Sequence, residues 1–421
     1  MSITESNLVY RQESCRLCKK TDLSKILELK PTPAGNNFLT REEKLKNDEP
    51  IFPLELYFCK SCYHLQLGHV VSPNHLFKDN YHFVSGTSQV NVNHFEHYAE
   101  EVVSRFKLKK NSFIVDIGSN DGTCLKAFKN RGMRVLGIDA AKNIAEIAND
   151  NGIETKAAFF SKQLALNIKK QYGVPDLITS HNALAHIEDF SGVIDAVASL
   201  MDQKSIFIFE VGYFLDVFQN LWFDTIYHEH LDYHTVAPLK KFFRSMGMEL
   251  FDAKRIDIQG GSIRNFVQMS KGRHQKNNSI EELILLEKNE GLTNISDLKV
   301  FQSRIDYAKD NLSQLLKDIK EKGGSIAGYG APTKSTTLMN YFELDKGLID
   351  YIIDDNPLKQ DKYSPLLHIP VVSSDHLLGD SQPDYLLILA WNFAESIIEK
   401  VKNSNNFTGK YIIPLPNAKI V

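Results

Sequence analysis

Apolar and polar positions change their spacing several times along the chain, and these changes predict its elements. Short apolar runs, each typical of a buried strand, lie at 113–118, 134–139, 176–180 and 205–211. Similar runs return nearer the C-terminus, at 325–331, 348–354 and 385–391. Stretches with helical character lie between them, and strands that alternate with helices favour a parallel sheet covered on both faces. The sequence therefore predicts an α/β fold with two such units.

The same pattern suggests where domains begin and end. A chain of 421 residues is too long for one core of ordinary size. An amphipathic helix at 92–106 leads into the first α/β unit, and a polar tract at 271–279 marks the boundary after it. We therefore expect three domains, at residues 1–75, 76–275 and 276–421.

Composition narrows the class of protein. Hydrophobic residues make up 43% and charged residues 24%, with a net charge of -3, which is typical of a globular protein. The slightly acidic balance argues against nucleic acid as a partner. No apolar run reaches the roughly 20 residues of a membrane span, and no secretion signal is visible. We expect a cytoplasmic protein that binds no membrane, and nothing in the sequence requires more than a monomer.

Four of the five cysteines form two C-x-x-C pairs, Cys15 with Cys18 and Cys59 with Cys62. Two such turns can close a tetrahedral site of four thiolates, which suits zinc in a structural role. A redox-active dithiol is the alternative. The fifth cysteine, Cys124, is expected to be a small buried residue.

The turn after the strand at 113–118 predicts a nucleoside site. Its glycines let the backbone approach a ligand, and an acid ends the following strand. Asn120 interrupts the G-x-G pattern on which pyrophosphate binding depends, so S-adenosylmethionine is favoured over NAD. Cofactor contacts are predicted for Asp116, Gly118, Asn120, Asp121 and Asp139.

Candidate catalytic groups concentrate in residues 223–233. Tyr227, Glu229 and His230 can together supply a base, a group that orients it and an oxyanion donor. The alternative is a histidine-rich turn that satisfies its own backbone. In the catalytic interpretation, His228 keeps only a structural role. The two histidines are too close for an H-E-x-x-H metal site, and a two-histidine, one-carboxylate site has little support. Downstream of the strand at 176–180, Asn182 and His186 are expected near the methyl donor, although His186 could instead cap the next helix.

The second α/β unit predicts a site for the nucleotide part of a substrate. A strand runs into a glycine turn and then a helix whose first turn offers amides and a lysine. The P-loop spacing is absent, so ATP chemistry is not expected. The alternative is a degenerate structural copy. Predicted substrate contacts are Tyr329, Gly330, Ala331, Lys334 and Asn392. Arg264, after two glycines, is a candidate anion ligand or a surface residue of a hairpin.

Taken in order, these motifs resemble those of the sugar C-methyltransferases of deoxysugar pathways. The resemblance covers essentially the whole chain and includes the paired C-x-x-C, Tyr-x-Phe-Val-Ser-Gly-Thr-Ser, Ile-Gly-Ser-Asn-Asp-Gly, Asn-Ala-Leu-Ala-His, Ile-Tyr-His-Glu-His, Gly-Gly-Ser-Ile-Arg, Tyr-Gly-Ala-Pro-x-Lys and Leu-Ala-Trp-Asn-Phe. Relatives commonly carry glycines where residues 202–205 read Asp-Gln-Lys-Ser. That departure lies away from the predicted site.

The resemblance implies a zinc-binding module at 1–75, a class I methyltransferase (Rossmann-like) domain at 76–275 and a Rossmann-like nucleotide-sugar domain at 276–421. It implies methyl transfer from S-adenosylmethionine to C-3 of a nucleotide-linked 4-keto-6-deoxyhexose, with dTDP or GDP as the nucleotide. His230 would be the base, with Tyr227, Glu229, His186 and Tyr81 around the sugar and cofactor. Independently of the resemblance, Ser88 in the polar segment that follows Tyr81 is predicted to contact the cofactor, with a plain loop as the alternative.

Three other functions remain open from the sequence. A zinc module joined to a methyltransferase can act on RNA or on another small molecule. The protein could also bind a nucleotide sugar without catalysis. RNA binding would require a basic face, which the net charge disfavours.

Overall fold

The computed structural model describes residues 8–46, 48–76, 84–378, 382–404 and 407–421. The N-terminal module is built mainly of strands. Its elements are β1 (Val9–Arg11), β2 (Leu23–Thr32), α1 (Arg41–Lys46), β3 (Phe52–Cys59), β4 (Leu65–Leu67), β5 (His69–Val71) and α2 (Pro73–Leu76).

The central domain alternates helices and strands. Its first half contains α3 (Gln89–Phe106), β6 (Phe113–Ile117), α4 (Thr123–Asn130), β7 (Arg134–Asp139), α5 (Lys142–Asp150), β8 (Thr155–Ala157) and α6 (Lys162–Tyr172). Its second half contains β9 (Leu177–His181), α7 (Phe190–Leu200), β10 (Ile206–Gly212), α8 (Phe214–Asn220), β11 (Asp232–Tyr233), α9 (Val236–Ser245), β12 (Met248–Ile256) and β13 (Ser262–Met269).

The C-terminal part begins with two helices and continues as a second α/β unit. Its elements are α10 (Ser279–Asn289), α11 (Ile295–Glu321), β14 (Ile326–Tyr329), α12 (Thr333–Phe342), β15 (Ile352–Ile353), β16 (Val371–Val372), β17 (Tyr385–Ile388), α13 (Ala394–Ser404), β18 (Lys410–Ile413) and β19 (Lys419–Ile420).

The central sheet has seven strands in the order β12-β13-β10-β9-β6-β7-β8. Strands β6 to β10 pair in parallel, and the hairpin of β12 and β13 adds two antiparallel strands beside β10. Every residue of β6 is buried, as expected for a strand covered by helices on both faces. The carboxyl ends of the parallel strands meet at one edge, where ligands bind in open α/β sheets.

Strand β11 does not belong to the central sheet. It pairs antiparallel with β4, so that Asp232 lies opposite Gln66 and Tyr233 opposite Leu65. The four-stranded sheet of the N-terminal module therefore has the order β11-β4-β3-β2. The histidine-rich segment at 223–233 consequently crosses from the central domain into the N-terminal module.

Helix α11 joins the three parts of the chain. It has 27 residues, which corresponds to a length of about 40 Å. Its buried residues recur every three or four positions, as a helix with one apolar face requires: Leu298, Phe301, Ile305, Ala308, Leu312, Leu316 and Ile319. The side chain of Gln302 in this helix also accepts a hydrogen bond from the backbone N–H of Glu28 in β2, at 3.0 Å.

The C-terminal sheet has the order β16-β15-β14-β17-β18-β19 and is parallel except for the last pair. The α/β class predicted from the sequence, with two such sheets and a separate N-terminal module, is confirmed. Within the described ranges, no helix combines the length and the apolar character that a membrane span requires.

Candidate active site

A cavity of about 1210 Å³ lies at the carboxyl ends of the central parallel strands. All three parts of the chain line it, with Asp139 and His230 from the central part, Asn36 from the N-terminal module and Asn392 from the C-terminal part. Sites for single small ligands are commonly 300–1,000 Å³. This cavity therefore has room for a methyl donor and an acceptor side by side.

The glycine turn after β6 forms one end of the cavity. Gly118 has a φ of +72°, and a Cβ there would lie 2.4 Å from the Cβ of Ala183, so only glycine allows this close approach. The N–H of Asn120 donates to Oδ2 of Asp139 at 2.9 Å, and the N–H of Ala141 donates to Oδ1 at 2.9 Å. Asp139 is thereby fixed at the cavity wall, at the end of β7.

Asp116 is the acid at the other side of this turn. It is buried at 2% exposure and lines the cavity. Its Oδ1 atom has no hydrogen-bond partner among the described residues. Burial, together with Asp139 and Glu210, raises its pKa well above the usual range. A buried acid with one unpartnered oxygen, beside two other acids, fits the cationic amino-acid end of S-adenosylmethionine, so the residues present suit this cofactor.

The predicted cofactor residues do not all reach the cavity. Gly118, Asn120, Asp139 and Asn182 line it with Asp116, whereas Asp121 and Ser88 do not. The carboxylate of Asp121 accepts the N–H of Gly86 at 3.0 Å and the hydroxyl of Thr123 at 2.7 Å. Ser88 is the residue at which α3 begins. Asp121 holds the 85–87 turn through its side chain, and Ser88 does so through its backbone N–H, which donates to the Ser85 carbonyl at 3.3 Å. The prediction that these two residues contact the cofactor is not kept. Tyr81 lies outside the described residues.

The Tyr227 and His230 side chains form a close pair. The Tyr227 hydroxyl lies 2.8 Å from Nε2 of His230, and Nδ1 of His230 lies 2.9 Å from the Thr225 carbonyl. A carbonyl can only accept, so Nδ1 carries the proton and donates to it. Nε2 is then the acceptor, and the hydroxyl of Tyr227 donates to it.

Burial keeps His230 neutral. Loss of solvation, with His186 as a second contribution, lowers its pKa to about 3. The imidazole of His186 lies 4.9 Å away, ring centre to ring centre, at 72°. Burial lowers the pKa of His186 to about 4. Both rings are therefore neutral at physiological pH.

Glu229 lies beside this pair but does not orient it. Its side chain accepts a hydrogen bond from Asn36, at 3.3 Å, and is buried at 5% exposure. The expectation that Glu229 sets the His230 ring is wrong, because the Thr225 carbonyl occupies that position on Nδ1. Burial raises the pKa of Glu229 to about 7. Glu229 is thus a carboxyl group poised between its two protonation states at neutral pH.

The neighbouring histidines differ in their surroundings. His228 is buried at 1% exposure, with Nε2 3.3 Å from the Pro53 carbonyl and its ring edge-on to Phe52. These contacts are those of a packing residue. His186 ends a 3₁₀ turn and lines the cavity. It does not cap α7, because Asp189 accepts the N–H of Gly192 there.

Lys334 and Asn392 line the far end of the cavity. The Nζ atom of Lys334 lies 3.3 Å from the ring centre of Trp391 and 3.9 Å from Oδ2 of Asp224. Burial lowers the pKa of Lys334 to about 8, although Asp224 opposes this effect. The indole N–H of Trp391 donates to the same Oδ2 atom at 2.6 Å. A cation is therefore held at the cavity wall by one acid and one aromatic face.

The other predicted substrate residues of this region do not line the cavity. Tyr329 is 2% exposed and donates to Asp355, while the N–H of Ala331 donates to Asp354 at 2.6 Å. Gly330 has a φ of +86° and shapes the turn before α12. These three residues belong to the strand and turn that lead into α12, the helix that carries Lys334.

Arg264 is also placed differently from its prediction. It lies in β13 at 3% exposure, where its guanidinium donates to Glu210 at 2.6 Å and to Glu101 at 2.8 Å. The hairpin predicted around it is present, but the arginine is buried and already paired with two carboxylates. It is therefore not kept as an anion ligand.

Sequence reasoning missed several groups around the site. Asn36 comes from the N-terminal module, and no local pattern marks it. Glu210 accepts His94 at 2.7 Å and His181 at 3.0 Å at the cavity wall. Glu210 ends an apolar strand, and an acid there is the signal that could have identified it.

The four cysteines of the N-terminal module come together as predicted. Their sulfur atoms all lie within 4.8 Å of one another, with 3.5 Å between Cys15 and Cys62 and 3.6 Å between Cys18 and Cys59. Tetrahedral zinc with Zn–S bonds of about 2.3 Å separates its sulfurs by about 3.8 Å. The contact with Cys62 lowers the pKa of Cys15 to about 4. This donor set fits zinc and leaves no position open for a substrate.

Comparison with known proteins agrees with this organisation. Family models match for a zinc binding domain at residues 15–77, a methyltransferase domain at 92–252 and the C-methyltransferase C-terminal domain at 257–416. The C-methyltransferase NovU of Streptomyces niveus is 32% identical over 415 residues, which cover 99% of this chain and 98% of that protein.

Two solved methyltransferase structures each match less than half of this chain. An S-adenosylmethionine-dependent methyltransferase from Clostridium acetobutylicum is 14% identical, covers 43% of this chain and 93% of its own, and has a TM-score of 0.35. Magnesium protoporphyrin IX methyltransferase from Synechocystis is 16% identical, with coverages of 47% and 89% and a TM-score of 0.33. Scores this low support no conclusion about this chain, so the family assignment depends on the sequence comparisons.

The predicted enzyme class, zinc module and cofactor are confirmed at this level. Two findings show the family of this chain: it matches a C-methyltransferase over nearly its whole length, and its C-terminal part matches the C-methyltransferase C-terminal domain model. The chain belongs to the C-methyltransferase family, as an S-adenosylmethionine-dependent enzyme with a zinc-binding N-terminal module.

Proposed function

We propose that this enzyme methylates C-3 of a nucleotide-linked 4-keto-6-deoxyhexose, in deoxysugar biosynthesis. The observation that carries the proposal is the Tyr227–His230 pair, whose atoms lie 2.8 Å apart at the cavity wall. Asp116 and Asp139 line the same cavity at its donor end, and Lys334 lines it at the end formed by the C-terminal part.

The proton step depends on His230. A hydrogen on the carbon next to a ketone is weakly acidic, and its removal gives an enolate. The Thr225 carbonyl fixes the tautomer in which Nε2 can accept that proton. Burial disfavours the imidazolium that results, but the negative charge of the enolate beside it offsets part of this cost. Formation of the imidazolium and the enolate is therefore coupled within the site.

The C-4 oxygen becomes negative as the proton leaves, and three groups are candidates to stabilise it. Tyr227 already presents its hydroxyl to Nε2 of His230, so a substrate entering between them can take over both groups. Glu229 can donate while it is protonated, because its pKa is about 7. His186 is the third candidate. One well-placed donor contributes roughly 3 kcal/mol to transition-state stabilisation.

S-adenosylmethionine, when bound, supplies an electrophilic methyl group. The protein's contribution is to hold the donor and the acceptor face to face. We assign Asp116, Asp139 and Asn182 to the donor and Lys334 and Asn392 to the nucleotide of the acceptor, with dTDP and GDP as the candidates. Lys334 can supply a positive charge to a phosphate group.

The organisation proposed for the chain follows the same division. We propose a zinc-binding module at 1–75, the cofactor domain at 76–275 and the nucleotide-sugar domain at 276–421, acting as a cytoplasmic monomer. Gel filtration with light scattering tests the oligomeric state.

The proposed reaction is tested by mass spectrometry. A panel of nucleotide-linked 4-ketohexoses, each with deuterium at C-3, is incubated with the enzyme and S-adenosylmethionine. The expected product has gained one methyl group and lost the deuterium. Methylation that keeps the label would place the methyl group on oxygen and contradict the proposal.

The role of His230 is tested separately. His230→Ala should abolish both methyl transfer and loss of the label, because it removes the imidazole that we assign as the base. His97→Ala is the matched control, since His97 is an exposed histidine of α3. Product formation by His230→Ala at the wild-type rate would remove His230 from the base role.

A further inference from the structure

We infer that Arg16, inside the first C-x-x-C turn, is a positioning residue that connects the zinc-binding module to the catalytic loops. The inference depends on the proposed function, in which His186 and His230 act on the substrate. The observation behind it is a set of buried contacts between Arg16 and the two loops that carry these histidines.

The Arg16 guanidinium is enclosed, and its Nε and Nη2 atoms are engaged. The residue is 4% exposed. Its Nε atom donates to Oδ1 of Asp232 at 2.9 Å and to Oδ2 at 3.1 Å. Its Nη2 atom donates to the carbonyls of Ile187 at 2.7 Å and Glu188 at 2.6 Å. One side chain thus holds one carboxylate and two backbone carbonyls.

These partners adjoin the candidate catalytic histidines. Ile187 follows His186 directly, and Asp232 lies two residues after His230. The two loops also contact each other, because the N–H of Leu231 donates to the carbonyl of Ala185 at 2.8 Å. Arg16 therefore helps to set the 4.9 Å separation between the rings of His186 and His230.

The other end of the connection is anchored in the zinc-binding module. The N–H of Arg16 donates to Oε1 of Gln66 in β4 at 2.7 Å. His64 contacts Oδ1 of Asp232 at 2.8 Å. Cys15 and Cys18 flank Arg16, so a metal held by the four sulfurs would fix the backbone from which the guanidinium extends. A lysine could not replace Arg16 fully, because only the planar guanidinium can donate to the Asp232 carboxylate and to the Ile187 carbonyl at the same time.

A general role in stability predicts something different from a positioning role. A positioning residue changes the turnover rate kcat more than the Michaelis constant KM, because the geometry of the reacting groups changes while ligand contacts remain. The cofactor residues Asp116 and Asp139 lie on β6 and β7 and are not among the hydrogen-bond partners of the Arg16 side chain, which are Asp232, Ile187 and Glu188. Cofactor affinity should therefore survive loss of the contact.

The test compares Arg16→Gln, Asp232→Asn and Lys20→Gln as purified full-length enzymes. Lys20 is the matched control, since it is exposed and close to the same turn. Each variant is measured for zinc content, for amide hydrogen exchange and for kcat and KM on the identified 4-ketosugar. Arg16→Lys is added as the conservative variant.

For Arg16→Gln and Asp232→Asn we expect full zinc content, faster amide exchange at 184–188 and 228–234, and a kcat lowered by about tenfold to a hundredfold. KM and cofactor affinity should change little, Lys20→Gln should behave as wild type, and Arg16→Lys should recover part of the rate. If Arg16→Gln loses zinc, the kcat of Asp232→Asn decides whether the inference holds, because the Asp232→Asn substitution leaves the cysteine turn intact.

A wild-type kcat in Asp232→Asn, or unchanged amide exchange in both loops, would overturn the inference. Failure of the proposed function looks different. In that case the wild-type enzyme methylates none of the 4-ketosugars, while amide exchange in the two loops still reports on the Arg16 contact.

Discussion

Glu229→Gln is the substitution whose consequences the structure defines most closely. The side chain is 5% exposed and accepts a hydrogen bond from Asn36 at 3.3 Å. Glutamine has nearly the same shape, can still accept from Asn36 and cannot ionise. The substitution therefore fixes the side chain in a neutral state and changes little else.

The magnitude follows from the pKa. Burial raises the pKa of Glu229 from 4.5 to about 7 in the folded protein. Between these values the folded state holds a proton that the unfolded state has released, so the contribution of Glu229 to stability falls as the pH rises. The total loss is about 3 kcal/mol, from roughly 1.4 kcal/mol per pKa unit. It is nearly complete at pH 8 and small at pH 5.

The assay is guanidinium-induced unfolding of both proteins at pH 5 and pH 8. Relative to wild type, Glu229→Gln should gain about 2 to 3 kcal/mol in unfolding free energy between the two pH values. Glu290→Gln is the control, because Glu290 is exposed. Comparing variant with wild type at each pH cancels the other titrating groups. An unfolding free-energy difference between Glu229→Gln and wild type that is the same at both pH values would refute a raised pKa for Glu229.

Three further predictions test other parts of the site. Tyr227→Phe removes the hydroxyl that donates to His230, so kcat should fall by about a hundredfold with KM nearly unchanged, and steady-state kinetics measure both. Prolonged chelation of zinc should unfold the N-terminal module and abolish activity, because the four sulfurs lie together in its core. Circular dichroism follows the unfolding and metal analysis follows the loss of zinc. Full activity in zinc-free protein would contradict this prediction. Asp224→Ala leaves Lys334 and the Trp391 indole without their buried acceptor, so the protein should lose about 3 to 5 kcal/mol of stability, measured by denaturant unfolding. A loss below 1 kcal/mol, the range of exposed pairs, would show that water replaces the acid.

The sequence predicted those parts of the fold that depend on local patterns. The strand expected at 134–139 is β7, and the strand expected at 113–118 contains β6. An apolar run bounded by turn residues carries enough information for such elements. The paired cysteines were equally clear, because their spacing is set by the metal they would bind. Asp116, Asp139 and Gly118 followed from the same logic, since a glycine turn between two strands fixes their positions.

Contacts between distant parts of the chain were not predictable in this way. Arg16 and Asp232 are 216 residues apart in sequence, yet their side chains meet at 2.9 Å. Asn36 reaches Glu229 across 193 residues. Nothing in the neighbourhood of either residue specifies its partner, because each contact depends on how β11 adds to the sheet of the N-terminal module.

The roles within residues 223–233 show where a sequence pattern stops being informative. Residue types alone made Glu229 a reasonable partner for His230, since a carboxylate often orients a catalytic imidazole. The decisive group is instead the carbonyl of Thr225, which every residue possesses and no sequence pattern can mark. The N–H of His230 donates to the carbonyl of Tyr227 at 2.9 Å and so closes a turn. This turn brings the Thr225 carbonyl to Nδ1 of His230. Glu229 is left to a buried environment that raises its pKa to about 7. The backbone thus assigns the tautomer of His230, and Glu229 is free to act as a proton donor to the substrate oxygen.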